Sequence, residues 1–342
     1  MKQRSILIAS ILFILLIISI SLGVYFTQKQ SKHENQLTEI NFRLKWIKYS
    51  SFAHHFVAQK KGYFNNENLE VTIHEGGAGI DPIKSVVSGI DDIGLASYAQ
   101  ILIAREKGIP VIAIAEEYIN SGAISMSLAS SGITSPKDFI GKTIGVIPGS
   151  DTYTVYSALL KKEGVSKDSL TEINVGFDLK PLLSGTVDVI TAAFITNQPI
   201  FAESQGYNVN IIDPHDYGIK TGGNVFFTTE YNLNNKREEL IRFLSAAFRG
   251  IEESQKMPNE DVVNIVLEVN PKLKKGAEMK IWQATKDYLL EKRPDHIGVM
   301  SKDKWEETAQ LFYNFGLLNS EPNINKAFTN ELVNEIHGSS FK

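Results

Sequence analysis

The chain has 342 residues, 43% of them hydrophobic and 22% charged, which is enough to bury a substantial core and too long for one small domain, so two domains are expected. Its net charge of −4 is mild and its Lys and Arg residues are scattered without a basic stripe, which argues against nucleic acid as a partner. No cysteine is present, so disulfides, thiolate nucleophiles, Cys-ligated metals and the lipid-bearing cysteine of a lipoprotein are excluded.

In chain order, Lys2 and Arg4 precede an uncharged stretch from Ser5 to Gln28. At ~1.5 Å per residue such a run spans the ~30 Å hydrocarbon layer as a helix. Residues 1–28 are therefore expected to be a signal or anchor helix. It is cleaved if Ser21-Leu22-Gly23 serves as the small-x-small site, or uncut as its length favours. Either way the remainder is exported, to the periplasm or the outer face of the cytoplasmic membrane, and it is not a lipoprotein. Residues 29–40 read as a polar tether.

A strand and helix alternation follows. Strands are predicted at 42–47, 69–77, 92–97 and 109–118, with helices at 51–64, 80–89 and 98–108 between them. This repeated β-α-β pattern predicts an α/β protein with a mostly parallel sheet and helices on both faces. A second round comes after it: strands at 124–131, 143–149, 172–176, 187–193 and 207–213, helices at 151–164, 177–185 and 196–206. The phrase SGIDDIGLAS at 88–97 recurs loosely as SGTVDVITAA at 184–193, an offset of 96 (184 minus 88). So long a period suits two lobes rather than a solenoid. One more strand is predicted at 222–230, and everything beyond it reads as amphipathic packing helices.

In each copy of SG-x-x-D the glycine suits a left-handed helix end and the aspartate opens the next strand, a structural role. The strands then finish in small residues at the carboxyl edge of a sheet, where ligands sit in open α/β folds. The helix starts that follow, Ser97-Tyr98 and Thr196-Asn197, point backbone N–H groups at the same crevice. Each lobe would offer half of a site. The stretch Gly149-Ser150-Asp151-Thr152-Tyr153-Thr154 is the strongest local signal: a strand end, a helix cap and a free first turn suited to an anionic or carbonyl oxygen. Asp178 and Asn197 are polar tips of the same half, and Asn197 matches a ring nitrogen beside an amino group. Glu75 and Gly76, with Gly77, end a strand where glycine permits backbone approach.

The phrases GYF…L-x-V, V-x-SG-x-x-D-x-G and S-P-x-D-F-x-GK-x-I-GV, spread over residues 42–255, resemble bacterial substrate-binding proteins of the thiamine-pyrimidine, riboflavin-precursor and alkanesulfonate import group. The stretches Thr196-Asn197-Gln198-Pro199 and 213–218 look most like the thiamine- or riboflavin-precursor branch. The resemblance implies the type II periplasmic-binding-protein fold: two α/β lobes, a hinge of two crossing strands and C-terminal helices returning to the first lobe. The expected lobes are 41–121 with 223–342, and 122–222. It implies capture of a small planar heterocycle by lobe closure, delivery to an ABC permease, and a monomer without cofactor or metal. The alternatives are a sulfonate, taurine or nitrate-type anion as ligand, or a ligand-sensing subunit of a signalling system. The group's eukaryotic enzymes carry a cysteine-rich iron-binding motif, which a chain without cysteine does not share.

By the same resemblance Trp46, Tyr49 and His54 lie at the first strand's carboxyl end, with Trp46 and Tyr49 able to stack a flat ring. Glu116 would meet an aminopyrimidine's N–H groups. His54 and His55, adjacent and so about 100° apart on a helix, read as poor joint metal ligands.

Overall fold

The computed structural model describes residues 37–77, 79–287 and 296–338, so the expected leader and residues 29–36 of the expected tether lie outside it, while residues 38–40 belong to the first strand. Residues up to Thr38 form a unit apart from Glu39–Lys342. Among the described residues no helix is long and apolar enough to cross a membrane.

Ten strands are described: β1 Thr38–Arg43, β2 Leu69–His74, β3 Ile93–Ser97, β4 Val111–Glu116, β5 Ala123–Leu128, β6 Thr143–Val146, β7 Thr171–Asn174, β8 Val189–Phe194, β9 Val209–Ile212 and β10 Asn224–Thr229. The longer helices are α1 Ala53–Lys60, α2 Tyr98–Glu106, α3 Asp151–Glu163, α4 Gln198–Ser204, α5 Arg237–Lys256, α6 Asn259–Val269, α7 Lys275–Thr285 and α8 Lys302–Asn314. Two five-stranded sheets result, ordered β2-β1-β3-β10-β4 and β7-β6-β8-β5-β9.

The first strand lies four residues earlier than the predicted 42–47, because Ile40, Phe42 and Leu44 supply the buried alternation while Lys45–Tyr49 bends across the sheet's carboxyl end. The sheets are mixed rather than nearly parallel. β1 and β3 run parallel, as do β6 with β7 and β8, but β10 is antiparallel to both its neighbours and so is β5. These are the two strands that arrive from the other sheet, and a chain crossing over enters from the opposite end. Successive residues of β10 serve opposite faces: Phe226 packs with Phe42, Phe243 and Trp282, and Phe227 with Val86 and Trp305. β8 does the same in the second sheet, where Val189 joins Tyr156 and Leu159 while Ile190 joins Leu182 and Ala202.

The repeated phrase does the same structural task twice. Gly89 and Gly185 take left-handed φ of 78° and 71° at helix ends, a conformation that costs a side chain. Asp92 accepts from Asn41 N at 2.8 Å, and Asp188 from Thr143 N at 2.8 Å. Each aspartate thus clamps its strand to the neighbouring parallel strand, β1 in one sheet and β6 in the other.

The two crossing segments lie side by side and exchange backbone hydrogen bonds: Ser121 N to Thr221 O at 3.1 Å, Gly223 N to Ile119 O at 3.3 Å, and Tyr118 N to Asn224 O at 3.0 Å. Glycine is required where they touch. A Cβ on Gly223 would meet Tyr118 O at 2.2 Å, and one on Gly222 would meet the Tyr98 ring at 2.3 Å.

Candidate functional site

A cleft of about 900 Å3 opens at the carboxyl edges of the two sheets, beside the crossing segments. Its walls come from both sheets: Lys45, Trp46, Tyr49 and Ser51 after β1, and Asp151, Phe177, Phe194 and Asn197 from the second. The bend at 45–49 delivers the first group. In the second group Asp151 follows β6, Phe177 follows β7, and Phe194 ends β8 with Asn197 just beyond it, as the topology of such edges dictates.

Side chains from the two walls meet directly. Asn197 Nδ2 donates to Tyr49 Oη at 2.7 Å, and Ser51 Oγ donates to Asn197 Oδ1 at 3.1 Å. Both Asn197 and Tyr49 are buried, and burial pushes the Tyr49 phenol up to about 12 against the pull of its hydrogen bonds from Ser51 and Asn197. Trp46 packs edge-on against Phe177 with ring centroids 4.2 Å apart, and Phe177 stacks near Phe194 at 5.8 Å. The Lys45 ammonium pairs with Asp151, donates to Asn224 Oδ1 at 3.0 Å, and lies 5.5 Å from the Phe194 ring centre. Asn224 in turn donates to Glu117 Oε2 at 3.1 Å, so polar contacts run from α3 across the cleft to the crossing segments.

Of the residues predicted for the site, Trp46, Tyr49, Ser97, Gly149, Ser150, Asp151 and Asn197 line this cleft. Two of these also cap helices. Ser150 Oγ accepts from Tyr153 N at 3.1 Å at the start of α3, and Ser97 forms a capping box with Gln100 at the start of α2.

The other predicted residues do not line the cleft. Thr152 is buried and its hydroxyl bonds Ser150 Oγ at 2.9 Å. Tyr153 lies one position further round α3 and points away: its hydroxyl donates to Glu172 at 3.0 Å and receives Lys167 at 2.7 Å. Asp178 Oδ1 accepts from Lys180 N at 3.0 Å and borders a separate shallow depression. Glu75 is exposed, its carbonyl taking Arg43 Nη1 at 2.7 Å, and Gly76 is packed so closely that a Cβ would meet Leu44 O at 2.5 Å. Tyr98 turns away from the cleft to stack on Trp305 at 3.9 Å and donates to Glu116 Oε1 at 2.8 Å. Burial first, then the Glu116 carboxylate, raises the Tyr98 phenol well above its usual range. Glu116 is therefore a buried partner of Tyr98 and not a cleft wall.

His54 is likewise buried, on the core side of α1. His54 Nε2 lies 3.0 Å and His55 Nε2 2.7 Å from the same oxygen, Glu117 Oε1. Adjacent positions on a helix diverge at the Cβ, but imidazoles are long enough to swing back to an acceptor lying between the two directions. Burial raises the Glu117 carboxyl, yet the hydrogen bonds and charge of His54 and His55 outweigh it and hold the group at about 2.

Sequence reasoning missed Lys45, Ser51, Phe177, Phe194 and Asn224. Lys45 stood inside the predicted strand at 42–47, Phe177 opened a predicted helix, and Phe194 lay just past a predicted strand. Only the small-residue ending of the 187–193 strand signalled that Phe194 would face an opening.

Residues 50–261 match the model of the family described as NMT1/THI5 like, and the chain belongs to that family. The formylaminopyrimidine-binding protein of Halalkalibacterium halodurans is 25% identical over 302 residues, which is 85% of this chain and 91% of the relative. A 4-amino-5-hydroxymethyl-2-methylpyrimidine phosphate synthase of Candida albicans is 32% identical over 152 residues, 44% of each chain. Among solved structures, the periplasmic aliphatic sulphonate binding protein SsuA of Escherichia coli superposes with a TM-score of 0.66 at 15% identity, over 84% of this chain and 96% of that one. This last likeness concerns the fold, two α/β lobes with mixed sheets.

Proposed function

We propose that this member of the NMT1/THI5-like family is the extracytoplasmic substrate-binding protein of an ABC importer, capturing a small planar heterocycle of the thiamine-pyrimidine or riboflavin-precursor type between two closing lobes. The lobes are 41–121 with 223–342, and 122–222. The observation that carries the reading is one cleft lined from both sheets by aromatic rings, Trp46, Tyr49, Phe177 and Phe194 among them, together with side chains that donate and accept hydrogen bonds, Lys45, Asp151, Asn197 and Asn224. Flat rings take their affinity from aromatic faces and their orientation from a few placed polar groups.

A ligand touching both walls favours the closed arrangement by its differential affinity for it, and the closed form is what a permease would meet. The anion alternative has less behind it: among the described residues no arginine lines the cleft, and Lys45, the lysine that reaches the second wall, is engaged by Asp151, while Lys84 and Lys107 also border the cleft. Synthase chemistry is left out of the proposal because the iron-binding cysteines of the enzymatic branch have no counterpart in a chain without cysteine.

Calorimetry against formylaminopyrimidine, hydroxymethylpyrimidine, riboflavin and taurine tests this. Heat and a measurable Kd are expected with one of the heterocycles. Tight taurine binding with no response to any heterocycle overturns the ligand class.

A further inference from the structure

The buried trio behind the cleft has a composition that a structural hydrogen bond does not call for. His54, His55 and Glu117 are each 0% exposed, within a wall of Phe42, Phe52, Phe226 and Tyr118. Asn224 already serves Glu117 Oε2 at 3.1 Å. Two imidazoles from consecutive positions then converge on the single oxygen Oε1, whose two lone pairs can take both N–H donors, although a single donor there would already leave neither buried oxygen unpartnered. A second buried imidazole adds desolvation cost that a leucine in the same apolar wall would avoid. Two neutral nitrogens and one carboxylate oxygen are, however, a donor set that first-row divalent ions take, zinc in particular.

We propose that His54, His55 and Glu117 form a buried site for one divalent transition-metal ion, with zinc the best match. The three donor atoms lie within 4.8 Å of one another. Donors sharing a tetrahedral ion at ~2.0–2.1 Å stand roughly 3.3 Å apart, so the N···O separations of 3.0 and 2.7 Å need open by a few tenths of an ångström, while the two imidazole nitrogens, at most 4.8 Å apart, draw together. The ion takes the place of the two N–H protons that point at Oε1, each imidazole then carrying its proton on Nδ1. His55 Nδ1 is buried without a hydrogen-bond partner in either form, so it does not discriminate between them. Asn224 holds the carboxylate in orientation, as outer-shell partners of metal ligands do. An ion here ties α1 to the segment leaving β4 for the other sheet, and so stiffens one side of the hinge. The inference is independent of which ligand the cleft takes.

The test uses the full chain, freed of metal with chelator and loaded with zinc or cobalt(II), both in the native state and during refolding. Expected are one zinc per chain by equilibrium dialysis, visible d–d bands of a four-coordinate cobalt site, and a higher thermal midpoint. His54→Leu and His55→Leu are expected to abolish stoichiometric uptake and the bands with an unchanged circular dichroism spectrum. Asn224→Ser should weaken binding by about 10–100-fold. Wild-type protein that takes up no stoichiometric ion in either procedure overturns the proposal, whether or not the variants fold. So does uptake that survives the loss of both histidines.

Discussion

Asn197 is the side chain through which the two walls hold each other, and Asn197→Ala isolates its effect. The substitution removes the two hydrogen bonds that cross the cleft, to Tyr49 at 2.7 Å and from Ser51 at 3.1 Å, and a local one from Thr196 at 3.2 Å, from a residue 4% exposed. At about 0.5–1.5 kcal/mol each, closure loses about 1–3 kcal/mol. Because both bonds bridge the walls, they exist only when the cleft is shut, and opening gives the polar groups to water. The loss therefore falls on the closed state and not on folding. Ligand affinity should drop roughly 5- to 150-fold, since each 1.4 kcal/mol is tenfold, while the thermal midpoint of the free protein hardly moves. Titration calorimetry reads the first, and small-angle scattering of the ligand-free protein should show a larger radius of gyration. Tyr49→Phe removes one of the same bonds, so the double variant should be less than additive. An unchanged Kd and radius in Asn197→Ala would refute the reasoning.

Lys45→Met should weaken ligand binding on the order of 100-fold by leaving Asp151, whose side chain is 5% exposed, unpaired in the closed cleft; adding Asp151→Asn should recover most of it, by calorimetry. Asp91 is buried, which pushes its carboxyl up, but hydrogen bonds from Ser85, His74 and Arg43 and the Arg43 charge hold it below the ordinary value. Its ionised form therefore stabilises the fold fully above the unfolded value of about 3.9 and is lost as pH falls below that; Asp91→Asn should cost about 3 kcal/mol at pH 7 and flatten the acid limb of denaturant-measured stability against pH. Glu278 is raised by burial, which exceeds the help from Ser50 N at 2.8 Å, so the folded state disfavours its charge at neutral pH. Glu278→Gln keeps an acceptor for Ser50 and should leave stability unchanged or raised at pH 7, with the gain vanishing near pH 4; a clear destabilisation at pH 7 would contradict this.

The twofold order of elements was legible because periodicity carries it: alternation of two for strands, three and four for helices, and a left-handed glycine where one hands over to the next. Gly89 with Asp92 and Gly185 with Asp188 show why the repeated phrase was a reliable sign of architecture, since each copy closes a helix and clamps the corresponding parallel strand of its own sheet. Strand direction was less legible. β5 and β10 have the composition of any buried strand, and their antiparallel placement comes from where the chain has been, which no local pattern records. The leader at 1–28 lies outside the described residues.

The site was legible by position and not by residue type. Strand ends placed Asn197, Asp151 and Ser97 at the right edge, yet Tyr153, one helical step beyond Thr152, turns to Glu172, and Tyr98 turns to Trp305. Near a helix start a 100° step decides between cleft and core, and sequence alone leaves the phase free until packing fixes it. The same limit hid Lys45: in a strand reading it alternates outward to solvent, whereas the bend at 45–49 carries it to Asp151 on the other wall. What connects the walls is therefore long-range by nature. Lys45 to Asp151 and Tyr49 to Asn197 are separated by 106 and 148 positions, and only the crossing of two strands between two sheets sets them within a hydrogen bond of one another.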